Sequence, residues 1–188
     1  MCPEGRARGL SLIEVVIFIV VVGIGLVATF ALYSNLNRGS VDPLVRKQAL
    51  AIASSLLEEI ELRGFTFCDP DDPSVYSANS DADCATKETL GPEGETRYAA
   101  PRFDNVNDYA GFADMAGGGI LDIRGNPISA TNLNGYSVSV AVANVAVGEL
   151  PQVADTNDAL VITVTARGPT GVGVTLKGYR LRYAPNSP

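Results

Sequence analysis

The longest apolar run in the chain lies near its N-terminus. Residues 15–32 are 18 consecutive positions without a charge. As a helix they would measure about 27 Å, close to the roughly 30 Å hydrocarbon core of a bilayer, so the pattern predicts a membrane-spanning helix. One carboxylate, Glu14, directly precedes the run. A charge at the centre of such a helix costs about 2.5–3.5 kcal/mol, and less near an end, so we expect this carboxylate to have a partner.

A second helical pattern follows a predicted interruption. Pro43 cannot donate a hydrogen bond to the carbonyl of Gly39, so we expect a kink or a break at 39–43, with Asp42 as an N-cap. From Pro43 to Arg63 apolar residues recur at spacings of three and four, and Gly64 ends the pattern. We expect this apolar face to pack on a sheet. It comprises Val45, Ala49, Ile52, Ala53, Leu56 and Ile60.

The rest of the chain predicts loops followed by strands. Residues 64–135 are rich in Asp, Asn, Gly, Pro and Ser; a turn is predicted at 117–119 and a short strand at 120–124. Alternating apolar residues then predict strands at 136–147, 159–166 and 173–183, with a turn at 168–171 between the last two. The fold class is therefore α+β: a long N-terminal helix, half transmembrane and half amphipathic, packed on a small antiparallel sheet.

Composition argues against several functions. The 188 residues carry a net charge of −7, so no basic patch is expected to bind nucleic acid. The chain has no histidine, the commonest general base and metal ligand. Its Ser and Lys residues have no recognisable nucleophile–base spacing. We expect no catalytic residues and no cofactor.

The cysteines predict one disulfide. Cys2 lies before the apolar run, whereas Cys68 and Cys84 lie 16 positions apart beyond it. In an exported domain such a pair most simply forms a disulfide, worth about 3 kcal/mol. Two unrelated buried thiols and an incomplete zinc site are the alternatives.

Acidic residues form two groups within the loops. The first surrounds the cysteine pair, and the second frames a possible calcium site, because hard oxygen donors suit that ion. Solvated turns use the same residue types and are our default interpretation. The first group is Asp69, Asp71, Asp72, Asp81 and Asp83; the calcium candidates are Asp104, Asn105, Asn107 and Asp108.

The N-terminus has an unusual order of signals. A short leader containing Arg6 and Arg8 precedes Gly9, and no small-residue cleavage site follows the apolar run. A leader, Gly9, apolar Leu10 and then Glu14 as the fifth residue after the glycine together resemble the class III signal of type IV pilins and pseudopilins. The resemblance implies that prepilin peptidase cuts after Gly9 and methylates the new amine of Leu10. Leu10 departs from the Phe or Met usual in that family.

The resemblance also implies a use for Glu14. In a bundle of such helices, its carboxylate can meet the N-terminal ammonium of a neighbouring subunit, which offsets the desolvation of both charges. The alternative is a signal anchor whose Glu14 reaches the water at the membrane interface. Arg6 and Arg8 favour a cytoplasmic N-terminus, but Arg38, Arg46 and Lys47 lie on the other side. The cysteine pair decides for an N-in orientation with a periplasmic C-terminal domain.

Longer segments resemble the MSHA-type (MshD-like) minor pilins. They are 42–49, 51–60, the acidic loop closed by two cysteines, and 103–109. The resemblance implies a leader at 1–9, an assembly helix at 10–37, an amphipathic continuation at 38–63 and a pilin-like domain at 64–188. It implies a structural subunit that incorporates into, or primes, an attachment filament, with prepilin peptidase, other pilins and the inner-membrane assembly machinery as partners. The alternatives are a minor pseudopilin of type II secretion and, more remotely, a membrane-anchored periplasmic enzyme or binding protein.

Overall fold

The computed structural model describes residues 11–114, 120–128, 133–153, 155–183, 186 and 188, and for 33–42 it describes the backbone alone. One long helix, α1, spans Leu12–Glu61 and contains Pro43. The helix continues through residues 39–43, so of the two predicted alternatives, a kink or a break, the described backbone contradicts the break. The chain divides into two compact units, Met1–Pro43 and Leu44–Pro188, and α1 contributes to both.

The second unit contains an antiparallel sheet. Within the described residues it has four strands in the order β1–β2–β3–β4. The α+β class and the three C-terminal strands are confirmed, whereas β1, only two residues long, was not predicted. The strands are β1 Ala113–Asp114, β2 Ser137–Asn144, β3 Ala159–Arg167 and β4 Gly173–Leu181, and short 3-10 helices cover Asp81–Asp83, Asn107–Tyr109 and Thr156–Asp158.

The core lies between the second part of α1 and one face of the sheet. Side chains alternate across a strand, so every second residue of β2 and β3 faces the helix. The apolar face predicted for residues 43–63 supplies the other side, although Ile52 is only partly buried. The buried members are Val45, Ala49, Ala53, Leu56 and Ile60 from α1, Val138, Val140 and Val142 from β2, and Leu160, Ile162, Val164 and Ala166 from β3.

Close approach between α1 and the edge strand explains a glycine in β4. A Cβ atom added to Gly178 would lie 2.9 Å from Leu57 Cδ1 and would also overlap the Glu61 carboxylate. A larger residue would push the helix away from β4. At the other end of the sheet the Tyr136 hydroxyl donates to Gln48 Oε1 at 2.6 Å, which ties β2 to the same helix.

The strand predicted at 120–124 is wrong. Leu121 forms only an isolated bridge with Pro127. Asp122 Oδ1 accepts hydrogen bonds from the backbone N–H groups of Arg124 (2.8 Å) and Asn126 (2.9 Å). An aspartate that bonds the backbone two residues ahead closes a turn, and this turn replaces the strand.

The cysteine loop is attached to the domain at two places. Cys68 and Cys84 form the predicted disulfide, with a Cα–Cα distance of 5.3 Å. Beside it, the Arg182 guanidinium stacks on the rings of Phe65 (3.9 Å) and Phe67 (4.4 Å). The amide of Asn186 donates to the carbonyls of Val75 (3.0 Å) and Ala78 (2.9 Å). Arg182 and Asn186 thus connect the C-terminal segment to the cysteine loop and to the residues just before it.

We expect the Cys68→Ser, Cys84→Ser double variant of the full chain to lose about 3 kcal/mol of stability, because its unfolded state is no longer constrained by a loop of this length. For a domain of this size that is a fall in Tm of about 6–12 °C. Calorimetry of the detergent-solubilised chain measures it, with Cys2→Ser as the matched control. A double variant that melts together with the control would contradict a stabilising disulfide.

Candidate functional site

The first candidate site is the exposed apolar part of α1. Residues Leu12–Leu32 form a helix long and apolar enough to cross a membrane, and none of this stretch is buried within the chain. Val27 is 71 % exposed and Phe30 70 % exposed. The hydroxyl of Thr29 donates to the Gly25 carbonyl at 2.8 Å, so this polar group is satisfied without water. The segment is therefore suited to an apolar environment along its whole length.

Glu14 lies in the first turn of α1, with an exposed side chain. Its backbone N–H bonds to the Ser11 carbonyl at 3.0 Å. No described residue forms an ion pair or hydrogen bond with its carboxylate. Gly9 and Leu10 lie outside the described residues, so cleavage after Gly9 and methylation of Leu10 stay predictions.

The second candidate site is a cluster of carboxylates in the loops of the second unit. Three chain segments meet there: the cysteine loop, residues 88–95 and residues 104–108. One oxygen each from Asp71, Glu95 and Asp104 lies within 4.8 Å of the other two. One member of each acidic group in the sequence, Asp71 and Asp104, thus comes close to the other, and Glu95 joins them. The charges of Asp69 and Asp108 act on both Glu88 and Glu95, and that of Glu93 acts on Glu88.

Repulsion and burial both act against ionisation of the two inner glutamates. Burial, followed by the charge of Asp108, raises the pKa of Glu88 from 4.5 to about 9. The same two causes raise the pKa of Glu95 to about 8. Oε1 of Glu88 and Oε2 of Glu95 are inaccessible to solvent and accept no hydrogen bond from the described residues. Both carboxyl groups thus lack the donors that normally stabilise a buried acid.

The four calcium candidates predicted from the sequence have different roles. Asp104 forms a carboxylate triad with Asp71 and Glu95, and burial together with Asp108 raises its pKa to about 6. Asp108 Oδ2 accepts from the backbone N–H groups of Asp104 (2.9 Å) and Asn105 (2.7 Å). The buried Asn105 side chain donates to Thr66 Oγ1 at 2.7 Å. Asn107 is 5 % exposed, and its Oδ1 has no partner among the described residues.

Other acids of the loops serve as turn formers, as the default interpretation held. Asp72 accepts from the N–H groups of Thr86 (2.5 Å) and Ser74 (2.7 Å), which lower its pKa. Asp83 accepts from the Asn79 N–H at 2.9 Å, and its pKa is lowered mainly by that bond. These carboxylates differ from the cluster because backbone donors already satisfy them.

A third feature is a cavity of about 560 Å³ between α1 and residues 112–138. Its acids already have partners. Glu59 accepts from Arg97 Nε (2.8 Å) and Nη2 (2.6 Å) and from the Tyr109 hydroxyl (2.9 Å). Asp114 accepts from the Tyr98 hydroxyl at 3.1 Å and the Leu121 N–H at 2.8 Å. These bonds join α1 to the loops, which is a structural role.

Comparison with protein-family models, with curated proteins and with solved structures finds no match to this chain. Its function must therefore be argued from its own residues.

The sequence indicated acidic loops but not this cluster. Glu88 and Glu95 were not among the predicted site residues, because neither is close in sequence to the Asp and Asn groups. The two cysteines were the one usable signal for the position of Glu88. Their disulfide brings residues 68–72 beside residues 84–88, and Cys68 pairs with Lys87 in an isolated bridge. No local pattern indicates that residues 104–108 meet the same loop.

We expect the stability of the metal-free full chain to fall as pH rises from about 4.5 to about 9. In that range the folded protein keeps a proton on Glu88 that the unfolded chain has lost, so deprotonation favours unfolding. In Glu88→Gln this contribution is removed, and the variant should exceed wild type increasingly towards pH 9. Chemical denaturation at a series of pH values measures this, with the exposed Glu149→Gln as control. Parallel curves for Glu88→Gln and wild type would show that Glu88 ionises normally.

Proposed function

We propose that this chain is a minor pilin, a structural subunit of a type IV, MSHA-like pilus. One observation carries the proposal: an apolar helical stretch of 21 residues, none of them buried, has in its first turn a carboxylate that no described residue pairs with. A simple membrane anchor needs the apolar residues but not Glu14. A subunit whose helix packs among identical or related helices needs both.

The apolar segment fits two successive environments. Before assembly it crosses the inner membrane, with the N-terminus in the cytoplasm and the disulfide-containing unit in the periplasm, an oxidising compartment. In the filament the same side chains pack against the helices of neighbouring subunits, and the domain lies at the cell surface. Packing on other helices replaces lipid contacts with protein contacts of similar polarity.

Glu14 supports an assembly role through its position. Prepilin peptidase would cut after Gly9, so the chain would begin at Leu10 and its amine would lie one helical turn from the carboxylate. In the filament, this ammonium would pair with Glu14 of a neighbouring subunit instead of with the carboxylate of its own chain. Pairing between chains neutralises both charges where water is excluded, and it also sets the axial position of each new subunit.

The second unit supports the same proposal at the level of the fold. An amphipathic helix segment that packs on an antiparallel sheet, with a disulfide-closed loop beside it, agrees with a pilin-like layout. The proposed partners are prepilin peptidase, other pilin subunits and the inner-membrane assembly machinery. The subunit would contribute no catalysis. The nearest alternative, a pseudopilin of type II secretion, shares these features, and the two differ in whether loss of the chain abolishes surface filaments or secretion.

We expect Glu14→Gln to be exported and cleaved normally but to be lost from filaments, because a neutral side chain cannot compensate the neighbouring ammonium. Its amount in sheared surface filaments should fall at least about tenfold, as expected for a buried pair weakened by 1.4 kcal/mol or more. Quantitative immunoblotting of sheared and membrane fractions measures this.

The matched control is Glu14→Asp, which keeps the charge and should retain part of the incorporation. If Glu14→Gln is found in filaments at wild-type amounts, charge pairing at this position has no role in assembly.

A further inference from the structure

An exposed turn directly before β2 contains an asparagine followed by a glycine. Asn134 and Gly135 are its two central residues, and the Tyr136 N–H donates to the Leu133 carbonyl at 3.1 Å. Gly135 has a φ of 82°, whereas the φ of Asn134 is negative. This combination is that of a type II turn, which favours glycine at the third position because of its positive φ.

An asparagine can lose its side-chain amide to water through the main-chain nitrogen of the next residue. That nitrogen attacks Cγ, and the amide leaves as ammonia with the proton that the nitrogen gives up. Water then opens the five-membered succinimide ring. Opening at the side-chain carbonyl gives aspartate, and opening at the main-chain carbonyl gives isoaspartate. Water is the only co-reactant, so the reaction needs no enzyme, but the attacking nitrogen must be accessible.

The main-chain nitrogen of Gly135 is accessible in this turn. Its N–H donates to no described residue, and the Asn134 side chain forms no hydrogen bond with a described residue either. Both residues are exposed. Because glycine has no Cβ atom, Gly135 neither shields its own nitrogen nor restricts the main-chain rotation that the attack requires.

The other asparagines whose side chain and following residue are described are protected from this attack. The Ser80 N–H after Asn79 donates to Asp83 Oδ2 at 3.0 Å. Asn126 precedes a proline, which has no N–H, and Asn107 is only 5 % exposed. Backbone carbonyls accept the remaining N–H groups, which are those that follow Asn105, Asn144 and Asn157.

We propose that Asn134 is a site of spontaneous deamidation, where water converts the turn before β2 into one that contains aspartate or isoaspartate. Both products add one negative charge to the turn. In isoaspartate the main chain also passes through the former side chain, which makes the turn one atom longer. The modification therefore changes the backbone at a defined place in the fold.

The contacts on both sides of the turn leave little room for a longer main chain. A Cβ atom added to Gly135 would lie 2.9 Å from Pro169 Cβ. Tyr136, the next residue, is 4 % exposed, and its hydroxyl donates to Gln48 of α1 at 2.6 Å. We expect isoaspartate to weaken this contact between β2 and the helix. Aspartate leaves the length of the main chain unchanged and should have little effect. None of these contacts depends on filament assembly.

The test incubates the purified full chain in detergent at mildly alkaline pH, which favours loss of the proton from the attacking nitrogen. Peptide mass spectrometry measures the replacement of NH₂ by OH at each asparagine over time. Asn134 should be modified at least about tenfold faster than Asn79, which corresponds to a barrier lower by about 1.4 kcal/mol. Equal rates at the two positions would overturn the proposal, and so would an Asn134 that stays unmodified.

A second measurement separates the effects of the two products. Fragmentation of the same peptide distinguishes isoaspartate from aspartate, and incubated wild type rich in isoaspartate should melt at least about 2 °C below fresh protein. Asn134→Asp, which reproduces the aspartate product, should melt as fresh wild type does. Asn134→Gln, incubated in the same way, controls for other changes, because the longer side chain closes a ring far more slowly. If isoaspartate-rich wild type melts together with fresh protein, the expected effect on β2 is wrong.

Discussion

The first part of α1 has a long apolar surface that no other described residue of the chain covers. Leu12–Leu32 is exposed along its whole length, and the core of the second unit is complete without it. At roughly 25 cal/mol per Å² of apolar area, exposure of such a surface to water is unfavourable, whereas lipid or other protein chains would cover it. Glu14 favours other protein chains over lipid as the surroundings of this helix, because lipid alone would leave its charge unpaired. The proposed function rests on these two facts together: a membrane would accommodate the apolar side chains, and a bundle of such helices would also supply a partner for Glu14.

The second part of α1 organises the rest of the molecule. Its apolar face covers β2 and β3, and on the other side Glu59 receives hydrogen bonds from Arg97 and Tyr109. The ion pair of Glu59 with Arg97 and the hydrogen bond from Tyr109 attach the loops to the helix. Loss of one partner from such a buried ion pair typically lowers the free energy of unfolding by about 3–5 kcal/mol. The loops held in this way bring several carboxylates close together, and these carboxylates repel one another.

Periodic patterns made much of the fold predictable. Spacings of three and four placed the buried face of residues 45–60 almost residue for residue, and alternation placed β2, β3 and β4 within three residues at their ends. Prediction failed where a single contact decides the local structure or an element is very short. The Asp122 side chain closes a turn in residues 120–124, whose pattern otherwise resembles a strand. Strand β1 has only two residues, too few to show a period. The disulfide could be predicted because only two cysteines follow the apolar run. The triad could not, because Asp71, Glu95 and Asp104 meet through long-range packing that leaves no local signal. The pattern of Gly9, Leu10 and Glu14, by contrast, is a purely local signal in the sequence, and cleavage after Gly9 stays a prediction.

The most direct test of the central claim is the identity of the mature N-terminus. Mass spectrometry of the chain isolated from the bacterial membrane and from sheared surface filaments would identify its first residue. The account predicts that the filament subunit begins at Leu10 with a methylated amine, because that terminus would pair with Glu14 of a neighbouring chain. A chain that still begins at Met1, or one cut after the apolar segment, would lack this amine and would contradict the account.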